Sequence, residues 1–204
     1  MKKIFFFPLC FFLFSLNISK AATLNLKLFF NGYYIGSGSM NSACGTSDSI
    51  LVVLHDTIAP YTILDSTRCH IMVDGTGACI FPNSVISHAF YIAIIFKNAV
   101  ETWSANPVTL AANTTYDFSI AATQAYANNM ILVDINPDIY AIYQGDINQD
   151  GNIDLLDFPP LDFGINHGLF GCYDTDLNGD GNVDLLDLPI LNLGINSGIF
   201  SQHP

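Results

Sequence analysis

Positive charge is scarce in this chain: six Lys and Arg stand against 18 Asp and Glu, for a formal net charge of −12 at pH 7. Nucleic acids and anionic lipid surfaces are held by Lys and Arg, so this composition excludes both as partners. Glu is nearly absent as well. Glu101 stands alone, so a glycosidase pair would have to recruit Asp partners. The five His show no H-x-x-x-H spacing, and no G-x-S-x-G elbow accompanies the Ser, His and Asp present. His70 lies beside Cys69 but reads as a strand residue rather than half of a catalytic dyad. No enzyme is indicated. Long apolar runs are missing too, apart from residues 4–16, which fall short of the roughly 20 residues that span a bilayer.

That first run has another reading. Met1-Lys2-Lys3 precedes it and Ser19-Lys20-Ala21 follows, the order of a secretory signal cut after Ala21. Leu9, directly before Cys10, is too bulky for a lipidation site. The expected product, starting at residue 22, is secreted or held at the cell surface. Its loss of Lys2, Lys3 and Lys20 moves the formal charge from −12 to −15. Four cysteines remain, Cys44, Cys69, Cys79 and Cys172, and they permit three disulfide connectivities. Cys69 and Cys79 flank Asp74-Gly75-Thr76-Gly77, a hairpin turn. In a hairpin pairing 73 with 78, the two thiols would not face each other, so a bridge and free buried thiols both stay open.

From residue 22 the chain reads as strands: 23–30, 50–54, 62–65, 69–73, 78–81, 90–96, 115–120, 130–133 and 140–143. Residues 90–96 are apolar throughout, as a strand covered on both faces requires. Turn residues recur between these segments, and no stretch before residue 145 has a helical period. The expected fold is mainly β: an Ig-like β-sandwich over residues 22–144, then a small α module over residues 145–204.

At Gly145 the composition changes, and ten of the 18 acidic residues fall between Asp146 and Asp187. Residues 146–170 and 176–200 match at sixteen of twenty-five positions, an internal duplication. Each copy opens D-x-N-x-D-G-N-[IV]-D-L-L-D. A 12-residue calcium loop draws oxygen from positions 1, 3, 5, 7, 9 and 12, with glycine at 6. Asp146, Asn148, Asp150, Asn152 (through its carbonyl), Asp154 and Asp157 fill those places in the first copy. Asp176, Asn178, Asp180, Asn182, Asp184 and Asp187 fill them in the second, for two Ca2+ ions. Without a cation, four Asp in each loop would repel one another. Ile153 and Val183, at position 8, are expected to pair across the loops. The helix candidates that follow look short and irregular, with Pro159, Pro160 and Pro189 in the first turn and Gly164 and Gly194 soon after. The loops show no core of their own, so calcium is expected to couple to folding of residues 146–200.

The two loops, 30 residues apart and each followed by a helix candidate, resemble a type I dockerin, which likewise carries Asp at position 12. The resemblance implies a calcium-dependent plug for a cohesin-like domain or another surface protein, often in polysaccharide degradation. Positions 10 and 11, small and polar in many cohesin-reading dockerins, are Leu155-Leu156 and Leu185-Leu186 here, and the Leu pairs are expected to pack on the β domain. Residues 101–104, 114–118 and 143–148 also resemble a class of small secreted proteins from Bacteroidota. Two functions follow as expectations. The first is a secreted, non-catalytic calcium-binding protein whose repeat docks or braces the β-sandwich in an extracellular assembly. The second is an accessory carbohydrate-binding protein, with Tyr33, Tyr34 and Trp103, and secondarily Tyr61 and Tyr126, offering rings to a polysaccharide.

Overall fold

The computed structural model describes residues 21–41 and 47–204; the expected signal segment up to residue 20, and Cys44, lie outside them. Among the described residues twelve strands run in chain order, many of them very short. They are β1 (Ala22–Lys27), β2 (Tyr34–Gly36), β3 (Ser39–Met40), β4 (Ser47–His55), β5 (Ile63–Met72) and β6 (Thr76–Phe81). β7 (Ala89–Ile95), β8 (Thr102–Trp103), β9 (Val108–Thr109), β10 (Asn113–Asp117), β11 (Ile131–Asp134) and β12 (Ile139–Ala141) follow. Two helices close the chain, α1 (Phe158–His167) and α2 (Leu188–Ser197). The fold is mainly β. Among the described residues no helix is long and apolar enough to cross a membrane.

Two sheets carry the structure. In the smaller, β1 lies between β10, parallel to it, and β6, antiparallel. In the larger, β5, β4, β7 and β8 follow one another, and β9 also pairs with β7. Alternation decides which side chains go inward. Leu24 and Leu26 of β1 meet Ile50, Val52 and Leu54 of β4 and Ile92 and Ile94 of β7 in one core, with Phe29, Phe30, Phe81 and Phe118 filling it. The opposite face of β4 and β7 is also covered, where Val53 and Ala93 pack with Trp103. That double cover accounts for the unbroken apolar run of β7.

β5 and β6 correct the sequence reading. The turn between them is as expected, with the Asp74 carboxylate accepting from the Thr76 amide at 3.0 Å and from its hydroxyl at 2.6 Å. The strands then part, β5 pairing with β4 and β6 with β1. Hairpin register therefore does not govern their thiols. Cys69 and Cys79 meet across the core in a disulfide, Cα atoms 5.1 Å apart, that ties one sheet to the other. Cys172 is free and exposed.

The helical repeats have a core of their own, contrary to the sequence reading. Ile147, Ile153, Leu161, Leu177, Val183 and Leu191 are buried together with Val100 of the sandwich. Both helices are regular and ten residues long, start with proline in the first turn and end on left-handed Gly168 and Gly198. Gly164 and Gly194 lie inside them for a steric reason. A Cβ on Gly164 would sit 2.6 Å from Val183 Cγ1, and one on Gly194 would sit 2.5 Å from Ile153 Cγ2.

Each loop thus inserts its position-8 side chain into the helix of the other copy. The expected Ile153–Val183 pairing does not form. Asn152 bridges to Phe200 and Asn182 to Phe170 instead, with the Ile153 amide donating to Ile199 O and the Val183 amide to Leu169 O, both at 2.9 Å. Neither copy completes its core alone.

Candidate metal centre

Side-chain oxygens close each loop by accepting backbone N–H groups. Asp146 Oδ2 accepts from Gly151 N at 3.1 Å, and Asp176 Oδ2 from Gly181 N at 3.0 Å. Asn148 Oδ1 and Asn178 Oδ1 accept from the amides of Asp150 and Asp180, each at 2.9 Å. Asp150 Oδ1 and Asp180 Oδ1 accept from Asn152 N and Asn182 N at 2.9 and 2.8 Å. The reversal at position 6 needs a positive φ, and Gly151 (+89°) and Gly181 (+85°) supply it without a Cβ clash.

Position 12 folds back over position 1. Asp157 accepts from Ile147 N and Asn148 N at 2.7 and 3.0 Å through Oδ1, and from Asp154 N at 2.9 Å through Oδ2. Asp187 repeats the pattern with Leu177, Asn178 and Asp184 at 2.7, 3.0 and 2.9 Å. Asp154 and Asp184 cap the turn that leaves each loop, accepting from Leu156 N and Leu186 N at 2.7 Å.

Positions 1 and 12 are buried: Asp146 is 2% exposed, and Asp157, Asp176 and Asp187 are 0% exposed. Burial pushes the Asp146 carboxyl up to about 6, helped by the charge of Asp157. Burial likewise pushes Asp187 up to about 6, against the lowering effect of its backbone hydrogen bonds, and raises Asp157. Asp150, held by the Asn152 amide, is lowered. No basic side chain contributes to any of these shifts.

Among the described residues no three His, Cys, Asp or Glu converge as a metal cluster. The candidate donors within each loop are mixed, Asp carboxylates and Asn side-chain amides. That oxygen donor chemistry, with the acids of positions 1 and 12 buried, fits a hard cation of the calcium type.

The loops abut the sandwich through a buried polar hub. Gln144, 0% exposed, accepts from Gly32 N at 2.9 Å and Tyr33 N at 3.2 Å and donates to Asn98 Oδ1 at 3.0 Å. Asn98 in turn donates to Asp174 O at 3.0 Å and Asp176 O at 3.4 Å. Sequence reasoning missed both residues, since a single Asn or Gln in a strand-rich segment carries no pattern.

The aromatic candidates are placed differently from expectation. Tyr33 (2% exposed) packs edge-on to Phe30 and Phe96 in the core. Trp103 (5% exposed) donates Nε1–H to Glu101 at 2.7 Å and lies 3.9 Å from the His55 ring. Neither offers an open face to a sugar, because both rings serve as packing. Tyr34 is half-buried, its hydroxyl donating to Asp134 at 2.7 Å and accepting from Gly38 N at 2.9 Å. Tyr61 and Tyr126 are half-buried around Trp103. The Cys69–His70 dyad is excluded by the disulfide.

The Leu pairs also overturn their expected place. Leu155 (73%), Leu156 (63%), Leu185 (68%) and Leu186 (63%) are exposed. The turn capped by Asp154 or Asp184 sends the acid at position 12 inward and the two leucines outward.

No family model matches the chain. No curated protein matches it either. Among solved structures, it is similar to chains in two crystal structures of a type II cohesin–X–dockerin complex from Acetivibrio cellulolyticus, an N-terminal and a C-terminal interface mutant. Each matches with a TM-score of 0.52 at 15% identity, covering 88% of this chain and 97% of the other. The likeness is one of fold.

Proposed function

We propose that this chain is a secreted or surface-held, non-catalytic calcium-binding protein. Its sandwich braces the duplicated loops in cis, and the exposed leucines at their positions 10 and 11 dock a protein partner in trans. Asp146, Asn148, Asp150, Asn152, Asp154 and Asp157 would hold one ion, and Asp176, Asn178, Asp180, Asn182, Asp184 and Asp187 a second. Calcium, when bound, supplies the positive charge that lets the acids at positions 1 and 12 stay ionised while buried.

The observation that carries the docking half is the exposure of four leucines at 63–73%, each pair directly before a buried carboxylate. Four leucines held outward by rigid, capped turns are the surface a partner would cover. The fold likeness to cohesin–X–dockerin complexes supports a cohesin-like or other surface protein as that partner. A polysaccharide partner has less support, since Tyr33 and Trp103 are packed in the interior.

The test is capture. Immobilised residues 22–204 meet the envelope and secreted fractions of the source organism in calcium or in chelator. The expected result is a protein retained in calcium only, and lost when all four leucines are changed to Ser in a chain that still binds calcium. Retention that ignores both calcium and the leucines, or retention of polysaccharide alone, contradicts the proposal.

A further inference from the structure

We infer that the two loops are unequal sites, the second being the slowly exchanging one because Tyr33, Asn41 and Asn98 of the sandwich cover and position it. The inference rests on the reading of both loops as calcium sites.

The sequence makes the loops nearly identical, and the difference comes from what surrounds them. In the first loop, Asn148, Gln149, Asp150 and Asn152 are all exposed. Their counterparts in the second, Asn178, Gly179, Asp180 and Asn182, are half-buried or buried. Gly179 lies flat under the Tyr33 ring, whose nearest carbons would be 2.9–3.1 Å from a Cβ at that position. Asn41 donates to Asn178 O at 3.4 Å, and Asn98 to Asp176 O at 3.4 Å, one bond on each side of the turn. Among the described residues the first loop shows one comparable hydrogen bond, Gln149 Nε2 to Ala99 O at 3.4 Å, and there the loop reaches to the sandwich rather than being covered by it.

The asymmetry extends beyond the loops. Gly32 of the sandwich fills the hollow beside the second copy, so closely that a Cβ there would collide with Leu177 O and reach 3.1 Å from Ile190 Cγ1. The corresponding hollow beside the first copy, at Ile147 and Pro160, is an open cavity of about 510 Å³ that Phe163, Leu169 and Tyr173 also line. The sandwich thus engages the second copy more closely than the first.

Release of an ion requires the loop to spread and water to enter. Cover from a rigid core resists both steps at the second loop and neither at the first. Tyr33, Asn41 and Asn98 are positioning residues in this account, acting through the backbone of residues 176–179.

The experiment uses residues 22–204 loaded with calcium and mixed rapidly with an excess of a chromophoric chelator. Two release phases at least about tenfold apart, the rate ratio of 1.4 kcal/mol in barrier height, are expected. Asp176→Ala should delete the slow phase and Asp146→Ala the fast one. Tyr33→Leu should speed the slow phase about tenfold without moving the fast one, while Tyr33→Phe, which keeps the ring, should restore it. Where Tyr33→Leu does not fold, Asn41→Ala carries the same expectation.

One phase releasing two ions overturns the inference. So does a slow phase lost in Asp146→Ala, or one unmoved by folded Tyr33→Leu. A chain that holds no calcium at equilibrium refutes the calcium reading itself, which is a separate outcome.

Discussion

The exchange of position-8 side chains between the two copies makes a quantitative prediction at Gly164 and Val183. Val183 is 2% exposed, and a Cβ on Gly164 would come within 2.6 Å of its Cγ1 but 3.5 Å of its Cβ. Val183→Ala removes two buried carbons at about 0.8 kcal/mol each, and the cavity brings the loss to about 2–3 kcal/mol. Gly164→Ala gains about 1 kcal/mol of helix propensity but overpacks the contact, a loss of roughly 1–3 kcal/mol. Combined, the substitutions relieve each other: the new methyl occupies the space Cγ1 vacates and meets the remaining Cβ at ordinary contact distance. The double variant should therefore be more stable than the sum of the singles by about 2 kcal/mol. Urea unfolding of residues 22–204 at one fixed, saturating calcium concentration measures the cycle. Additivity within about 0.5 kcal/mol would show that the two side chains do not share this space.

Further expectations follow from the acids, the disulfide and the leucines. Asp146 and Asp187 have folded-state values near 6, above their ordinary value of 3.8, so the folded metal-free chain binds more protons than the unfolded one in that interval. Its stability should fall as pH rises from about 4 to 6, whereas in calcium the dependence reverses because protons compete with the ion; denaturant midpoints at pH 5 and 7, with calcium and with chelator, check the sign. Replacing Cys69 and Cys79 by Ala opens a tie between residues 10 apart in sequence and should cost about 3 kcal/mol, read by chemical unfolding against the oxidised parent. The fourfold Leu→Ser variant touches only exposed side chains and should melt within a few degrees of the parent while losing its calcium-dependent partner.

The sequence made the long elements visible and left the short ones hidden. The strands β1, β4 and β7 are long enough to display alternation or an apolar run. The segments 62–65 and 69–73 proved to be one strand, β5, because polar Ser66, Thr67 and Arg68 interrupt the apolar signal without interrupting the ladder to β4. Strands of two or three residues, such as β2, β3, β8 and β9, carry no period at all.

Turn chemistry at Asp74-Gly75 was local and readable. Which strand β6 pairs with was not, since that depends on the distant β1. Candidate ligands in the loops could be named from spacing alone. Their mutual arrangement could not, because two near-identical copies can pair in register or exchange side chains, and Gly164 and Gly194 become informative only once the opposing Val183 and Ile153 are placed. Hydrophobicity alone sent Leu155 and Leu185 to the core, while the caps from Asp154 and Asp184 turn them out.

The most direct test of the account is a calorimetric calcium titration of residues 22–204, alongside Asp146→Ala combined with Asp176→Ala. Two ions per parent chain, none in the double variant, and a rise in the parent's melting temperature that the variant does not share are the predicted results. A parent that takes up no calcium, or a double variant that binds and melts like the parent, would contradict it.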